Sequence, residues 1–266
     1  MMTFETFKEK VRAGLGFDLN SYKEKQIRRR IGALMSRRQV ADYAAYYRLL
    51  VADPAAQREF LDYLTINVTE FFRDPHLFQF LEQRVLPELL ARRPFLRVWS
   101  AACANGAEPY SVAILLEELT PGRRHRIEAT DIDPGILEVA RAGRYAADLL
   151  RHVSPARRAR FFRQENGTWA VADEIRRRVA FRVHDLLTQA YGSGYDLIVC
   201  RNVAIYFTRE AQERINAGFW RALVPGGVLF VGASESIFNY REIGFEKVGT
   251  CFYRKVADAR LQTEAR

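Results

Sequence analysis

Apolar positions in the first seventy residues recur at the spacing of helices that bury one face each. Phe4, Phe7, Val11 and Leu15 share a helical face, and Gly14 and Gly16 end that segment. Ile27, Ile31, Leu34 and Met35 mark a second helix. Asp42 is placed to cap a third, through Tyr43, Tyr46, Tyr47 and Leu50, and Asp53-Pro54 opens a fourth carrying Phe60, Leu61 and Leu64. Four apolar stripes predict a small helical domain over 1–72. Asp74-Pro75 opens a further helix through Leu86, part of a connection over 73–93 that closes on Arg92-Arg93-Pro94.

The pattern then changes to strands alternating with helices, which predicts an α/β domain over 94–256. Leu96, Val98 and Trp99 form an apolar strand ending, followed by small residues and a helix from Pro109 to Leu119. A second strand, 127–129, ends at Asp131-Ile132-Asp133-Pro134 and leads into a helix through Ile136, Leu137, Val139 and Ala140. Strands over 179–183, ending at Asp185, and 195–200, ending at Arg201-Asn202, follow. The second of these, YDLIVC, is a continuous apolar strand apart from Asp196, as a sheet buried on both faces requires. A helix over 209–223 precedes Pro225-Gly226-Gly227 and a strand over 228–231. A hairpin over 245–248 and 251–253 turns at Gly249-Thr250. Between 145 and 178 the rhythm breaks. Phe161-Phe162-Arg163 and 168–171 pair around Asn166-Gly167, a strong hairpin signal, as either an accessory β-lobe or an elaborated crossover loop. Residues 257–266 lack an apolar pattern and are expected to form a loose tail.

With 266 residues, 48% of them hydrophobic, the chain can build one sizeable core and a smaller domain. It has no run of about 18 apolar residues and no signal-peptide h-region, so no membrane insertion is expected. Cys103, Cys200 and Cys251 are odd in number and scattered, which suits a reducing cytoplasm. Neither they nor the four histidines show metal-ligand spacing, so no metal is expected.

Charge adds a partner to the picture. The formal net charge is +9, and 23–38 concentrates Lys23, Lys25, Arg28, Arg29, Arg30, Arg37 and Arg38 against a single acid, Glu24. The stretch is either a solvated helix face or a docking surface for an acidic protein, nucleic acid or an anionic membrane.

The segment VWSAACANGAEPYS at 98–111 organises the chemistry. Small residues after a parallel strand let the backbone approach a ligand, and Gly106 can take a tight turn. The full dinucleotide spacing is absent, as is the Lys-Ser/Thr pair of a phosphate loop. A nucleotide-like ligand without a pyrophosphate is favoured, S-adenosyl-L-methionine first, against a turn with no ligand. Asp131 is placed for a ribose diol, and Asp133 is the better cap for the following helix. Asp185 is placed for an adenine amine. Glu108, near the positive end of a helix, either meets the ligand's ammonium group or caps the turn.

Together with NVTEFFRD at 67–74, ATDID at 129–133, CRNVAIYF at 200–207 and PGGVLFVGASES at 225–236, this segment makes the chain resemble the CheR family. Those chemotaxis receptor methyltransferases methylate glutamate side chains of chemoreceptors with S-adenosyl-L-methionine, releasing S-adenosyl-L-homocysteine. The resemblance runs from about Phe4 to Lys255. It implies a class I methyltransferase domain with a Rossmann-like seven-stranded sheet, an N-terminal all-helical domain and a small antiparallel β-subdomain. By matching positions it implies cofactor contacts at Asn67, Thr69, Arg73, Ala102, Glu108, Asp131, Asp185, Leu186, Asn202 and Val203. Arg73 and Tyr206 match the active-site pair, and the helix over 23–38 matches the segment that contacts acidic receptor helices.

An acceptor glutamate is already ionised at neutral pH, its ordinary pKa being about 4.3, so attack on a sulfonium methyl needs positioning and no general base. Arg73 orients either the acceptor carboxylate or the cofactor's own. Tyr206 either bonds near the methyl or is a core aromatic beside Phe207. Two departures stand out: Ala107 precedes Glu108 where relatives carry two glutamates, and Ala233 stands where they commonly carry His. The hairpin around Asn166-Gly167 is shorter than in relatives that grip a receptor's C-terminal pentapeptide, so docking through the basic helix without a tether is expected. The rival readings are a non-catalytic S-adenosyl-L-methionine-binding scaffold and a nucleic-acid methyltransferase. The latter would carry an Asn/Asp-Pro-Pro-aromatic or Pro-Cys site, and neither is present. A cytoplasmic monomer with no nucleic-acid partner is expected.

Overall fold

The computed structural model describes residues 2–65 and 67–256, which divide into two compact units, 1–67 with 205–215 and 68–204 with 216–266. The tail expected over 257–266 lies outside the described residues.

In the first unit, α1 (Phe4–Leu15) is capped by the Thr3 side chain and ends at Gly16, which takes the left-handed conformation (φ 78°). α2 (Glu24–Arg37) buries Ile27, Ile31 and Leu34, the stripe its sequence predicts. Asp42 and Asp53 cap α3 (Tyr43–Ala52) and α4 (Pro54–Leu64) with their side chains. Phe7, Tyr46 and Phe60 meet at the centre, with ring centroids 6.0 and 6.2 Å apart. The 205–215 segment contributes Phe207, whose ring stands edge-on to Tyr22 at 5.0 Å.

The second unit opens with α5 (Pro75–Phe80), a π-helical stretch (Leu81–Val85) and α6 (Leu86–Arg92). The helix predicted from Asp74-Pro75 is therefore longer than its signal and interrupted. Next come β1 (Arg97–Ala101), α7 (Ala107–Leu119), β2 (Arg126–Asp131), α8 (Pro134–Ala142), β3 (Arg144–Tyr145), α9 (Pro155–Phe161), β4 (Phe162–Glu165), β5 (Thr168–Val171), α10 (Asp173–Arg176), β6 (Val179–Val183) and β7 (Tyr195–Cys200). The chain closes with α11 (Arg209–Ala222), β8 (Leu223–Val231), α12 (Tyr240–Ile243), β9 (Phe245–Gly249) and β10 (Phe252–Lys255).

Seven strands form one sheet in the order β6-β2-β1-β7-β8-β10-β9. β6, β2, β1, β7 and β8 are parallel; β10 is antiparallel to β8 and to β9. The strand order reverses between β1 and β7, and such a switch point opens a ligand crevice at the carboxyl ends of the strands. Trp99 sits fully buried in the sheet, its indole N–H donating to Thr130 Oγ1 (2.9 Å) and its ring against Tyr191 and Phe219. The break over 145–178 holds a second sheet in the order β3-β5-β4. Its hairpin turns on Asn166 and Gly167, both with positive φ (48° and 76°), the conformation that suits a two-residue turn between twisted strands. The last hairpin turns one residue later than its sequence signal, because Gly249 is still paired with Phe252.

Candidate active site

Backbone strain marks the place. Seven described non-glycine residues have positive φ, and five of them, Phe72, Asp74, Ala102, Ala104 and Asn202, lie in loops bonded to the carboxyl edge of the large sheet. Left-handed backbone costs a non-glycine residue about 1–2 kcal/mol, so it persists only where surrounding bonds impose it.

Those bonds are visible. After β1 the chain curls through Ala102 (φ 62°) and Ala104 (φ 46°) into Gly106 (φ 87°). Ala104 N–H donates to Asp131 Oδ2 (2.9 Å), and Asp133 N–H donates to Asp131 Oδ1 (3.1 Å). Asp133 caps α8 by accepting from Gly135 and Ile136, which leaves Asp131 to the turn. Asp131 is 6% exposed, and burial pushes its carboxyl up to about 6. Three backbone N–H groups, those of Ala104, Ile132 and Asp133, act on the carboxylate and oppose that rise, and a carboxylate has about four acceptor positions. Acceptor capacity remains for a hydroxyl donor of the kind a ribose diol supplies.

Glu108, in the first turn of α7, is also buried. It accepts from Ser100 Oγ (2.8 Å) and faces Arg201 Nη1 at 3.6 Å; burial raises its pKa, with Arg201 and Ser100 opposing. Arg201 follows β7 with its side chain only 2% exposed. Its Nη2 donates to Asp74 Oδ2 (2.5 Å) and to the carbonyl of Arg73 (3.1 Å), and its guanidinium lies over Phe230 at 4.7 Å. Asp74 stands at the N-cap position of α5 but makes no side-chain cap bond. Its left-handed backbone turns its carboxylate to a buried cation that has to be paired. Phe72 N–H is held by Ser111 Oγ (3.0 Å), so both neighbours of Arg73 are fixed. Arg73 itself is partly exposed and donates from Nη1 to the Val68 carbonyl (2.9 Å).

His184 N–H donates to the Asp131 carbonyl (2.9 Å), which brings Asp185 and Leu186 to the same edge. Asp185 caps its own turn, accepting from Leu187 N–H (2.8 Å) and Thr188 Oγ1 (2.7 Å), a role the sequence does not assign to it. Asn202 and Val203 stand after Arg201, their N–H groups bonded to Glu235. Thr69 is partly exposed in the strand-free stretch before Phe71. Ala102, Glu108, Asp131, Asp185, Leu186, Asn202, Val203 and Arg73 therefore share one connected edge. Asn67 and Tyr206 belong to the first unit. There the Tyr206 carbonyl accepts from Lys23 N–H (2.9 Å), its ring lies under the Arg30 guanidinium at 5.2 Å, and both line a pocket with Tyr22, Gln26, Ile27 and Leu64.

Sequence reasoning passed over Arg201, Glu235 and Ser111. An arginine directly after the apolar run Leu197–Cys200 was the available signal, since an arginine held in such surroundings is buried only with partners.

The second unit is thus a doubly wound α/β domain whose buried acids gather at its switch point. A family model described as the CheR methyltransferase SAM-binding domain matches residues 67–253, and one described as its all-alpha domain matches 2–65. A chemotaxis protein methyltransferase of Listeria innocua is 40% identical over 250 residues, covering 94% of this chain and 95% of the relative. Chemotaxis protein methyltransferase 1 of Pseudomonas aeruginosa is 36% identical over 248 residues, covering 89% and 90%. Among solved structures, the S-adenosyl-L-methionine-bound amino pentose methyltransferase CalS10 of Micromonospora echinaspora shares 18% identity over 58% of this chain and 50% of that one. Its TM-score of 0.35 is too low to carry weight. The chain belongs to the CheR methyltransferase family, and its cofactor is S-adenosyl-L-methionine.

Proposed function

We propose that this chain esterifies glutamate side chains on the acidic cytoplasmic helices of chemoreceptors, acting as a monomer in the cytoplasm. The observation that carries this reading is Arg73. Its backbone is fixed on both sides by Ser111 and Arg201, while the guanidinium keeps donors beyond its one bond to Val68. A fork held in this way suits a carboxylate, and a carboxylate acceptor needs no base.

Bound S-adenosyl-L-methionine supplies an electrophilic methyl on a sulfonium. We assign the ribose hydroxyls to Asp131, the ammonium group to Glu108, and the adenine to the Asp185-Leu186 turn. Ala102 gives the backbone room to approach, and Asn67, Thr69, Asn202 and Val203 complete the set. Tyr206, beneath Arg30, is assigned to the acceptor side together with the exposed cations of α2. No helix among the described residues is long and apolar enough to cross a membrane, and all three cysteines are free and buried.

The test uses labelled cofactor and a receptor cytoplasmic fragment, followed by mild base. Volatile methanol is expected from the unaltered protein, and Arg73→Ala is expected to lose transfer while keeping its melting temperature. A base-stable label would point to another acceptor, nucleic acid included. Cofactor binding without any transfer would favour the scaffold reading.

A further inference from the structure

Glu235 follows β8 by four residues, and its carboxylate accepts four backbone N–H bonds. Oε2 takes Asn202 (2.8 Å) and Gly232 (2.7 Å); Oε1 takes Val203 (3.0 Å) and Ala204 (2.8 Å). β7 and β8 run parallel, with Cys200 opposite Val231, so the two loops leave the sheet side by side. Three successive N–H groups, 202–204, converge on one point, with Asn202 left-handed (φ 61°) at the start. Such a run is an anion-binding nest, and here the anion is the chain's own. The approach is close enough to exclude any side chain at 232. A Cβ on Gly232 would lie 2.7 Å from Glu235 Oε2 and 2.9 Å from the Asn202 nitrogen.

We propose that Glu235 is a positioning residue for the cofactor: by filling this nest it holds Asn202 and Val203 in the geometry that binds S-adenosyl-L-methionine. The role rests on the assignment of those two residues to the cofactor site made above. Without the carboxylate, three aligned donors face one another with nothing to accept them, and Asn202 loses the bonds that keep it left-handed. Glutamine at 235 fills the same space, but its amide nitrogen would present donors to two of the four N–H groups. Alanine at 235 empties the nest and leaves room for a small carboxylate.

Calorimetry with S-adenosyl-L-homocysteine, beside thermal unfolding of the ligand-free protein, tests this. Glu235→Gln and Glu235→Ala are each expected to bind the product at least about tenfold more weakly, the equivalent of one lost bond to a charged acceptor. Added acetate is expected to restore affinity in Glu235→Ala and to leave Glu235→Gln unchanged, since only the former has an empty nest. If Glu235→Ala does not fold, Glu235→Asp replaces it and is expected to bind better than Glu235→Gln, because it keeps an anion. Affinities within about twofold of the unaltered protein, or losses that follow melting temperature with no response to acetate, would overturn the role. So would Glu235→Asp binding no better than Glu235→Gln. Failure of the unaltered protein to bind the product would strike the cofactor assignment first.

Discussion

Asp131 and Asp133 stand two residues apart and do different work because one is spent on a helix and the other on a turn. Asp133 caps α8, while Asp131 is buried against the Ala104 turn with its carboxyl pushed up to about 6. The sign follows from linkage. A folded-state pKa raised above the ordinary 3.8 stabilises the ligand-free fold at low pH, and that contribution is lost as pH rises through about 6. Hydroxyl donors favour the charged carboxylate, so product binding should release a proton. Affinity for S-adenosyl-L-homocysteine is expected to rise from pH 5 to 7, by up to about tenfold per unit, and Asp131→Asn should flatten the profile. A flat profile in the unaltered protein would remove Asp131 from the ribose site. The acids at strand ends were legible in the sequence because turn and cap chemistry is local. The pairing of Asp74 with Arg201 was not, since nothing local says which distant acid a buried cation will take.

Among the elements, the β1–α7 turn has its tightest packing at Gly106. Its φ of 87° already favours glycine, and an added Cβ would lie 2.9 Å from Ala140 Cβ and 3.2 Å from Phe181 Cζ. Left-handed strain and overpacking together predict that Gly106→Ala costs about 2–4 kcal/mol of stability. The double variant with Ala140→Gly should recover part of the steric share in a denaturant double-mutant cycle. Strict additivity of the two changes would show that Ala140 is not the obstacle. The sequence marked Gly106 as a turn residue; only the structure shows α8 closing on it. The helix over 75–92 teaches a similar lesson, since Asp74-Pro75 signals a start while the π-helical stretch inside it has no local sequence signature.

For the molecule as a whole, net charge overstates the free charge of the basic helix. Arg28 pairs with Glu24, Arg37 and Arg38 both pair with Glu59, and Arg30 donates to the Tyr63 and Leu64 carbonyls. Lys23, Lys25 and Arg29 are exposed, and no acid among the described residues pairs with them. Reversing Lys25 and Arg29 to Glu is therefore expected to raise KM for an acidic receptor fragment about tenfold or more at low salt. Product affinity and melting temperature should hardly change. Arg37→Glu with Arg38→Glu should act mainly on stability, and only weakly, since exposed pairs contribute little. Adding a C-terminal pentapeptide to the fragment is expected to leave KM unchanged, in keeping with the two-residue turn of the small β-sheet. A lowered KM would establish tethering.

Local rules carried the sequence a long way. Helical spacing fixed which faces of α1 to α4 are buried. Alternation of strands and helices gave the α/β domain, the family resemblance gave its seven-stranded sheet, and caps and turn residues gave most element starts. Each depends on chemistry within a few residues of chain. Tertiary structure alone decided that 205–215 clusters with the N-terminal helices. It also decided that Arg201 bridges Asp74 and Glu108, that Glu235 fills the nest at 202–204, and that three of the seven cations of the basic stretch are already paired with acids. These are pairings between charges or donors far apart in sequence, and their partners are chosen by burial, which exists only once the chain has folded.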